Sequence, residues 1–189
     1  MRIPSHFLIT ATLNQVAGKR FGVVTPAVLL GSVVPDLPLV VLSVSTALVK
    51  LVREGRPITN IHSFMFDDLF FTDPVWIVSH NTLHAPFVLA VLLVATSFVR
   101  HRGWGAWLWW FFAACALHTL LDIPTHSSDG PLLLFPFNWT FRFHSPVSYW
   151  EATHYGRIFT LLEYGLDGIL LSYLGLKWWR SRLKNLRSS

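Results

Sequence analysis

The sequence predicts an all-α fold, a polytopic membrane helical bundle of about four transmembrane helices with a short N-terminal helix. Apolar residues make up 52% of its 189 residues and the mean hydropathy is +0.47, which is too apolar for an ordinary soluble domain. Several stretches approach the roughly 20 apolar residues that a helix needs to cross a bilayer. The 9 tryptophans and 15 phenylalanines suit the membrane–water interface, where aromatic rings collect. We therefore expect one integral membrane domain over residues 1–189.

The apolar segments give the predicted helices in chain order. Residues 5–18 form a segment too short to span, so we expect a helix that enters the bundle without crossing. The segment 21–52 is longer than one crossing requires, and Pro35 and Pro38 should break or kink it, because each removes a backbone donor. Three further crossings are predicted at 85–99 with its preceding turn, at 104–123 and at 157–179.

Basic residues predict the orientation of the bundle. The pairs at 19–20 and 100–102 and the tail KWWRSRLKNLRSS can all face the cytoplasm if the first crossing runs outward. The C-terminus is then cytoplasmic, and its charge suits anionic lipid headgroups, so we expect membrane lipid and no nucleic acid as a partner. Three basic residues are left on the outer side by this scheme: Lys50, Arg53 and Arg56.

Two pairs of polar side chains, each four residues apart, lie in these apolar segments. They are His118 and Asp122 in ACALHTLLDIPTH, and His80 and His84 in DPVWIVSHNTLHAP. Residues four apart share one face of a helix and are close enough to hold a single ion. The predicted topology brings both pairs to the same membrane depth. Either pair alone is a common chance occurrence, but their coincidence favours a metal site.

Two further side chains complete the predicted ligand set. Asp36 lies between two prolines, where irregular backbone can line a polar cavity, and a lone buried carboxylate is costly without a partner. His6 lies on the short first helix, although a histidine there can also sit among the headgroups. Such a set can hold one divalent metal with supporting residues, or two metals that share a bridge. The predicted metal residues are His6, Asp36, His80, His84, His118 and Asp122.

The remaining candidates are catalytic and supporting residues. His126 follows Pro124, and Asp129 follows closely, so either can shuttle a proton beside the metal or lie in a solvated loop. Glu163 and Asp167 share one face of the last span. They can support the metal site, or they can be a protonated acid bonded to a neighbouring helix or a partner of Arg157.

Together these features resemble the YdjM-type family of bacterial inner-membrane proteins, which are predicted metal-dependent hydrolases. The resemblance rests on an early histidine, a Pro-Asp near residue 35, a double-histidine motif, an H-x-x-x-D and the following LLLFPF, and it covers about residues 6–137. The family usually has H-R-G-x-T-H-S where this chain has HNTLHA, and Pro-Asp-x-Asp where this chain has PDLP, which lacks the second acid. The resemblance implies an inner-membrane protein with a metal site and hydrolytic activity of undefined substrate.

The leading hypothesis is a membrane-embedded metal-dependent hydrolase that acts on a lipid or lipid-linked ester, amide or phosphoester. Mixed imidazole and carboxylate ligands favour zinc as the divalent metal. The alternative is a non-catalytic metal-binding protein that acts in assembly or as a scaffold. A small transporter is a third possibility, but it needs a polar path through both leaflets, and the inner halves of the spans are nearly all apolar.

Overall fold

A computed structural model describes residues 1–55 and 58–187, and it confirms the all-α fold class. Arg56, one of the basic residues discussed above, lies outside the described residues. Within the described ranges β-structure is limited to an isolated bridge between Leu132 and Arg142. The helices are α1 (Ile3–Phe21), α2 (Thr25–Gly31), α3 (Leu37–Glu54), α4 (Ile58–Ser63), α5 (Phe70–Thr72), α6 (Pro74–Asn81), α7 (Pro86–Ser97), α8 (Gly103–Asp122) and α9 (Gly156–Arg187). Short turns of other helix types occupy Val34–Asp36, Ile123–Thr125 and Ala152–His154 (3₁₀) and Phe64–Leu69 (π).

Among the described residues, three helical stretches are long and apolar enough to cross a membrane: Thr25–Glu54, Gly103–Thr125 and Gly156–Leu186. They correspond to the predicted crossings at 21–52, 104–123 and 157–179. The crossing predicted at 85–99 is different, because α7 has only 12 residues and about 18 Å of length, too little to span alone. Together with α6 it forms a candidate fourth span, bent by 47° where Pro86 starts the second helix.

The first helix is longer than the predicted segment 5–18. α1 has 19 residues, has Pro4 in its first turn and ends at Phe21. Gly22 follows it with a φ of 63°, the left-handed conformation that glycine adopts most readily. The polar residues Asn14 and Gln15, which interrupt the apolar pattern, stay within the helix. Asn14 Nδ2 donates to Thr25 Oγ1 at 3.1 Å, so this polar side chain has a partner at the start of α2.

The break predicted at Pro35 and Pro38 is present. α2 ends at Gly31, the 3₁₀ turn Val34–Asp36 follows, and Pro38 lies in the first turn of α3. Asp36 is the residue at this junction. The break matters for the site below, because it places an acidic side chain and free backbone carbonyls inside an apolar span.

α1 and α9 lie side by side and run in the same direction. α8 ends where they begin, since His6 near the start of α1 contacts Asp122 at the end of α8. The basic ends of α1 and α9 are therefore far from the end of α8. Cytoplasmic exposure of those basic ends stays a prediction. Polar contacts join α1 and the preceding Arg2 to α9: Arg2 with Glu163 (2.7 Å) and Thr160 (3.0 Å), Ser5 with Asp167 (2.9 Å), and the Gln15 carbonyl with Lys177 (2.9 Å).

Gly31 allows α2 and α8 to pack closely. A Cβ atom at this position would overlap the Phe111 carbonyl and lie 2.8 Å from the Ala114 Cβ. Small residues at such contacts let two helix backbones approach within a membrane, where apolar side chains alone give no driving force for association. The close approach also brings the backbone of Ser32 to His118.

We expect Gly31→Ala to destabilise the protein by about 1–3 kcal/mol, because the added methyl group overpacks a tight contact. Thermal unfolding in detergent, followed by circular dichroism, measures this. The matched control is Gly165→Ala in α9, where a Cβ would meet nothing within 4 Å. That change should leave stability unchanged or raise it by about 0.5–1 kcal/mol, since alanine favours a helix interior. Equal effects of the two changes would contradict the packing argument.

Candidate metal centre

Four side chains from separate parts of the chain meet inside the bundle: Asp36, His84, His118 and Asp122. The Nε2 atoms of His84 and His118 are 3.2 Å apart. Asp36 Oδ1 lies 3.3 Å from His84 Nε2 and 3.5 Å from His118 Nε2. Asp122 Oδ2 lies 3.1 Å from His118 Nε2 and 3.8 Å from His84 Nε2. Both histidines and Asp122 are buried.

The hydrogen bonds of the two histidines fix which ring nitrogen carries the proton. His84 Nδ1 donates to the His80 carbonyl at 2.8 Å, and His118 Nδ1 donates to the Ser32 carbonyl at 3.0 Å. Because a carbonyl oxygen only accepts, each Nδ1 must bear a hydrogen, and the neutral ring has its lone pair on Nε2. The two Nε2 lone pairs and two carboxylate oxygens therefore face one another. Such an arrangement is unfavourable unless a cation or additional protons lie between them.

The separations fit a metal ion of ordinary size. Zinc lies about 2.0–2.2 Å from imidazole nitrogen and carboxylate oxygen, so ligand atoms at the corners of a tetrahedron are about 3.3–3.5 Å apart. The nitrogen and oxygen atoms of the cluster are 3.1–3.8 Å apart in the five pairs given above. Backbone carbonyls hold the rings by their other nitrogens, the usual support of metal-bound histidine. The residues present therefore fit a divalent cation.

His6 belongs to an overlapping group with His118 and Asp122, whose donor atoms lie within 4.8 Å of one another. Its Nε2 donates to Asp122 Oδ1 at 2.9 Å, and its ring stacks on His118 with centroids 3.6 Å apart. The α-amino group of Met1 donates to the same carboxylate oxygen at 2.6 Å. These contacts hold Oδ1 and leave Oδ2 of Asp122 facing the other histidines.

The premise that His80 and His84 share a helix face is wrong. α6 ends at Asn81, so His84 lies in the turn before Pro86, which has no backbone N–H with which to continue the helix. The two rings instead stack with centroids 4.3 Å apart. In the part of the chain that the structure describes, His80 is in neither group of candidate metal ligands. Metal binding by His80 stays a prediction.

A cavity of about 590 Å³ opens next to this cluster. Asp36, His84 and Asp122 lie at its polar side, together with the two predicted catalytic residues His126 and Asp129. The π-helical turn contributes Phe66 and Asp67, and π-helical segments are frequent at functional sites. The apolar part of the lining comes mainly from Ile3, Leu39, Val40, Val44, Phe66, Phe70 and Phe71.

His126 and Asp129 have different surroundings in this cavity. His126 Nδ1 donates to the Asp122 carbonyl at 2.9 Å, so the neutral ring has its lone pair on Nε2, and burial lowers the pKa of His126. Its ring packs against Tyr149, whose pKa burial raises, so the phenol keeps its proton at neutral pH. Asp129 Oδ2 accepts a hydrogen bond from the Trp150 indole at 2.9 Å.

Glu163 and Asp167 face α1 rather than the metal cluster. Glu163 is 2% exposed and accepts from both the backbone N–H and the guanidinium of Arg2. Arg2, not Arg157, is thus the partner that the structure shows for Glu163. Asp167 accepts from the Ser5 hydroxyl at 2.9 Å. Both acids attach the last helix to the helix that carries His6.

Several contributors to this region were not among the sequence-based candidates, including the α-amino group of Met1 that donates to Asp122. The Ser32 carbonyl, Tyr149 and Trp150 contact or line the site without any motif of their own. The neighbouring Gly31 and Ser32 are a weak signal, since small residues in an apolar helix indicate close packing. The positions of Tyr149 and Trp150 depend on how the loop after α8 folds back, and local sequence patterns do not predict that path.

The fold and this cluster define the class of protein: an integral membrane protein of helices with a buried histidine and aspartate group able to hold a metal ion. The chain belongs to the YdjM inner membrane protein family, whose profile matches residues 1–185. The resemblance drawn from the motifs is confirmed, and the match extends beyond residues 6–137.

One curated protein is similar over a shorter stretch. A segment of 129 residues is 26% identical to the mouse (Mus musculus) Cadherin EGF LAG seven-pass G-type receptor 1. The segment covers 68% of this chain but 4% of the receptor, so the chain spans a small fraction of that protein. No solved structure matches the chain.

We expect Arg2→Ala to destabilise the protein by up to about 3 kcal/mol, because it leaves the buried Glu163 carboxylate without its cationic partner. The double change Arg2→Met with Glu163→Met should recover much of the loss, since it removes both charges. Thermal unfolding of purified protein measures both effects. Arg182→Ala, whose side chain lies over the exposed Trp178 ring, is the control. Equal stability of Arg2→Ala and wild type would show that the pair does not join α1 to α9.

Proposed function

We propose that this protein is a membrane-embedded metal-dependent hydrolase that acts on a lipid or lipid-linked ester, amide or phosphoester. The observation that carries the proposal is the convergence of the Nε2 atoms of His84 and His118 with carboxylate oxygens of Asp36 and Asp122 beside a largely apolar cavity. Zinc is the preferred cation, because imidazole nitrogen and carboxylate oxygen are both donors that it commonly takes.

The cavity supports a catalytic role over a purely structural one. Structural zinc sites are closed by four protein ligands, whereas catalytic sites keep a position for water or substrate. A metal held by three of the four donors here would keep such a position. Asp36, His84 and Asp122 all line the cavity. A ligand in that space would therefore reach the atoms proposed to hold the metal. The scaffold alternative needs no such opening.

A bound divalent cation would bring the pKa of a coordinated water towards neutrality and polarise the scissile bond. His126 suits the acceptance of a proton, because its Nδ1–H is held by the Asp122 carbonyl and its Nε2 lone pair is available. Asp129 lines the same cavity and is the second candidate for proton transfer. His6 would orient the Asp122 carboxylate through its 2.9 Å hydrogen bond.

The apolar lining supports a lipid-like substrate. Side chains from α3 and from the region of the π-helical turn surround one side of the cavity, and they can accommodate an acyl chain better than a polar solute. Aromatic residues of the loop between α8 and α9 are well exposed, including Phe137 at 79% and Phe141 at 51%. Such rings suit the headgroup layer of a bilayer, where the loop would lie next to a lipid substrate.

We expect purified protein to contain a stoichiometric divalent metal, measured by inductively coupled plasma mass spectrometry. His84→Ala, His118→Ala and Asp122→Ala should each weaken metal binding by at least about 100-fold. Loss of a residue that only hydrogen-bonds a metal ligand typically costs about 10–100-fold in metal affinity, and loss of a ligand itself should cost more. His6→Ala should weaken metal binding less.

The control for metal content is His154→Ala, because His154 is half-buried, pairs with Glu151 and is not among the residues that line the cavity. Its metal content should equal that of the wild type. Folded His84 and Asp122 variants that keep their metal would show that the cluster is not the binding site.

We expect His126→Gln to retain the metal but to lower kcat by about 100-fold or more, as for the loss of a general base. Activity is measured with p-nitrophenyl octanoate and p-nitrophenyl phosphorylcholine in mixed micelles, before and after chelation. Chelation should abolish turnover and added zinc should restore it. Undiminished kcat in His126→Gln would remove this residue from the mechanism, and turnover unaffected by chelation would overturn the metal-dependent reaction.

A further inference from the structure

His80 is a buried histidine whose ring is held by packing rather than by hydrogen bonds. It is 8% exposed and its ring stacks on His84 with ring centroids 4.3 Å apart. The ring centroid of Phe70 lies 5.0 Å from that of His80. Neither of its ring nitrogens has a hydrogen-bond partner within residues 1–55 and 58–187. Its ring lines the cavity next to the proposed metal centre.

Two polar atoms left unpaired in this way require a physical reason. A neutral imidazole presents one N–H donor and one lone pair, and burial of either without a partner costs free energy. In native proteins a buried polar group without a protein partner usually forms its hydrogen bond with a ligand, a substrate or ordered water. The neighbouring His84 and His118 both use Nδ1 on backbone carbonyls, and His6 leaves only Nδ1 unpaired, so both nitrogens are unpaired in His80 but not in these three histidines.

Asp129 supplies a second unpaired atom in the lining of the same cavity. Its Oδ2 accepts from the Trp150 indole, whereas its buried Oδ1 has no partner among the residues that the structure describes. A carboxylate oxygen only accepts hydrogen bonds. The missing partner of Oδ1 must therefore be a donor, either O–H or N–H.

We propose that His80 and Asp129 bind the polar head group of the lipid substrate, and that this head group carries free hydroxyl groups. A hydroxyl can donate to Asp129 Oδ1, and it can also accept from or donate to the two nitrogens of His80. A trimethylammonium group has no N–H or O–H for Asp129, and a phosphodiester offers no donor. The proposal depends on the cavity being the substrate site, and it gives His80 a binding role in place of metal ligation.

A pair of non-hydrolysable lipid ethers tests this directly. 1-O-octylglycerol has two hydroxyl groups, and 1-O-octyl-2,3-di-O-methylglycerol has the same chain and oxygens without a donor. We expect wild-type protein in nanodiscs to bind the first at least about tenfold more tightly, measured by isothermal titration calorimetry, since one or more hydrogen bonds are lost in the second.

Two variants remove the proposed contacts independently. His80→Phe keeps an aromatic ring between His84 and Phe70, and Asp129→Asn keeps the shape of the side chain. Each should reduce the preference for the diol to about twofold or less, without changing affinity for the dimethyl ether. His154→Ala, outside the cavity, should keep the full preference. Metal content of His80→Phe should equal that of the wild type.

Several results would overturn the proposal. Equal binding of the two ethers by the wild type would mean that water alone completes His80 and Asp129. An undiminished preference in both folded variants would place the hydroxyl contacts elsewhere, and loss of metal in folded His80→Phe would make His80 a metal ligand. Because the ethers are not hydrolysed and binding can be repeated after chelation, failure of the hydrolase proposal leaves this test intact.

Discussion

The meeting of two imidazole lone pairs with two carboxylates is the interaction on which the rest of the structure depends. His84 Nε2 and His118 Nε2 lie 3.2 Å apart, and because Nδ1 of each ring donates to a backbone carbonyl, the lone pair of each neutral ring is on Nε2. Electron-rich atoms at that distance repel one another in a medium of low dielectric constant. A cation converts that repulsion into attraction, so the packing of the helices around this point is reasonable only with positive charge present.

Interrupted helices supply the groups that orient the histidines. The last carbonyls of a helix have no partner within it, and here they accept from imidazole N–H groups instead. The His80 carbonyl, near the end of α6, accepts from His84; the Ser32 carbonyl, just after α2, accepts from His118; and the Asp122 carbonyl, at the end of α8, accepts from His126. Pro35 and Pro38 lie at the break after α2, Pro86 follows the end of α6 and Pro124 follows the end of α8. Helix breaks in the sequence therefore determine which ring nitrogens remain available to a ligand.

The residues that converge were predictable to the extent that they depend on local pattern. The spacing of His118 and Asp122 holds because α8 continues through both, and Asp36 was predicted because prolines mark a break. The same spacing gave a wrong prediction for His80 and His84, which do not share a helix face because α6 ends between them. The pairing of Arg2 with Glu163 joins residues 161 positions apart, and no local pattern specifies which cation meets a buried acid across a helix contact.

The membrane explains why the last helix is attached by polar groups. Only 6% of the most apolar window of Gly156–Leu186 is buried within the protein, and apolar contact gives little driving force when lipid tails are equally apolar. Hydrogen bonds between helices do stabilise association in a membrane, because a polar group without a partner in hydrocarbon costs free energy. Glu163 and Asp167 meet that need by bonding to Arg2 and Ser5 at the start of α1. The same end of α1 carries His6, whose hydrogen bond holds Asp122, so the attachment of the outermost helix also fixes one carboxylate of the candidate metal centre.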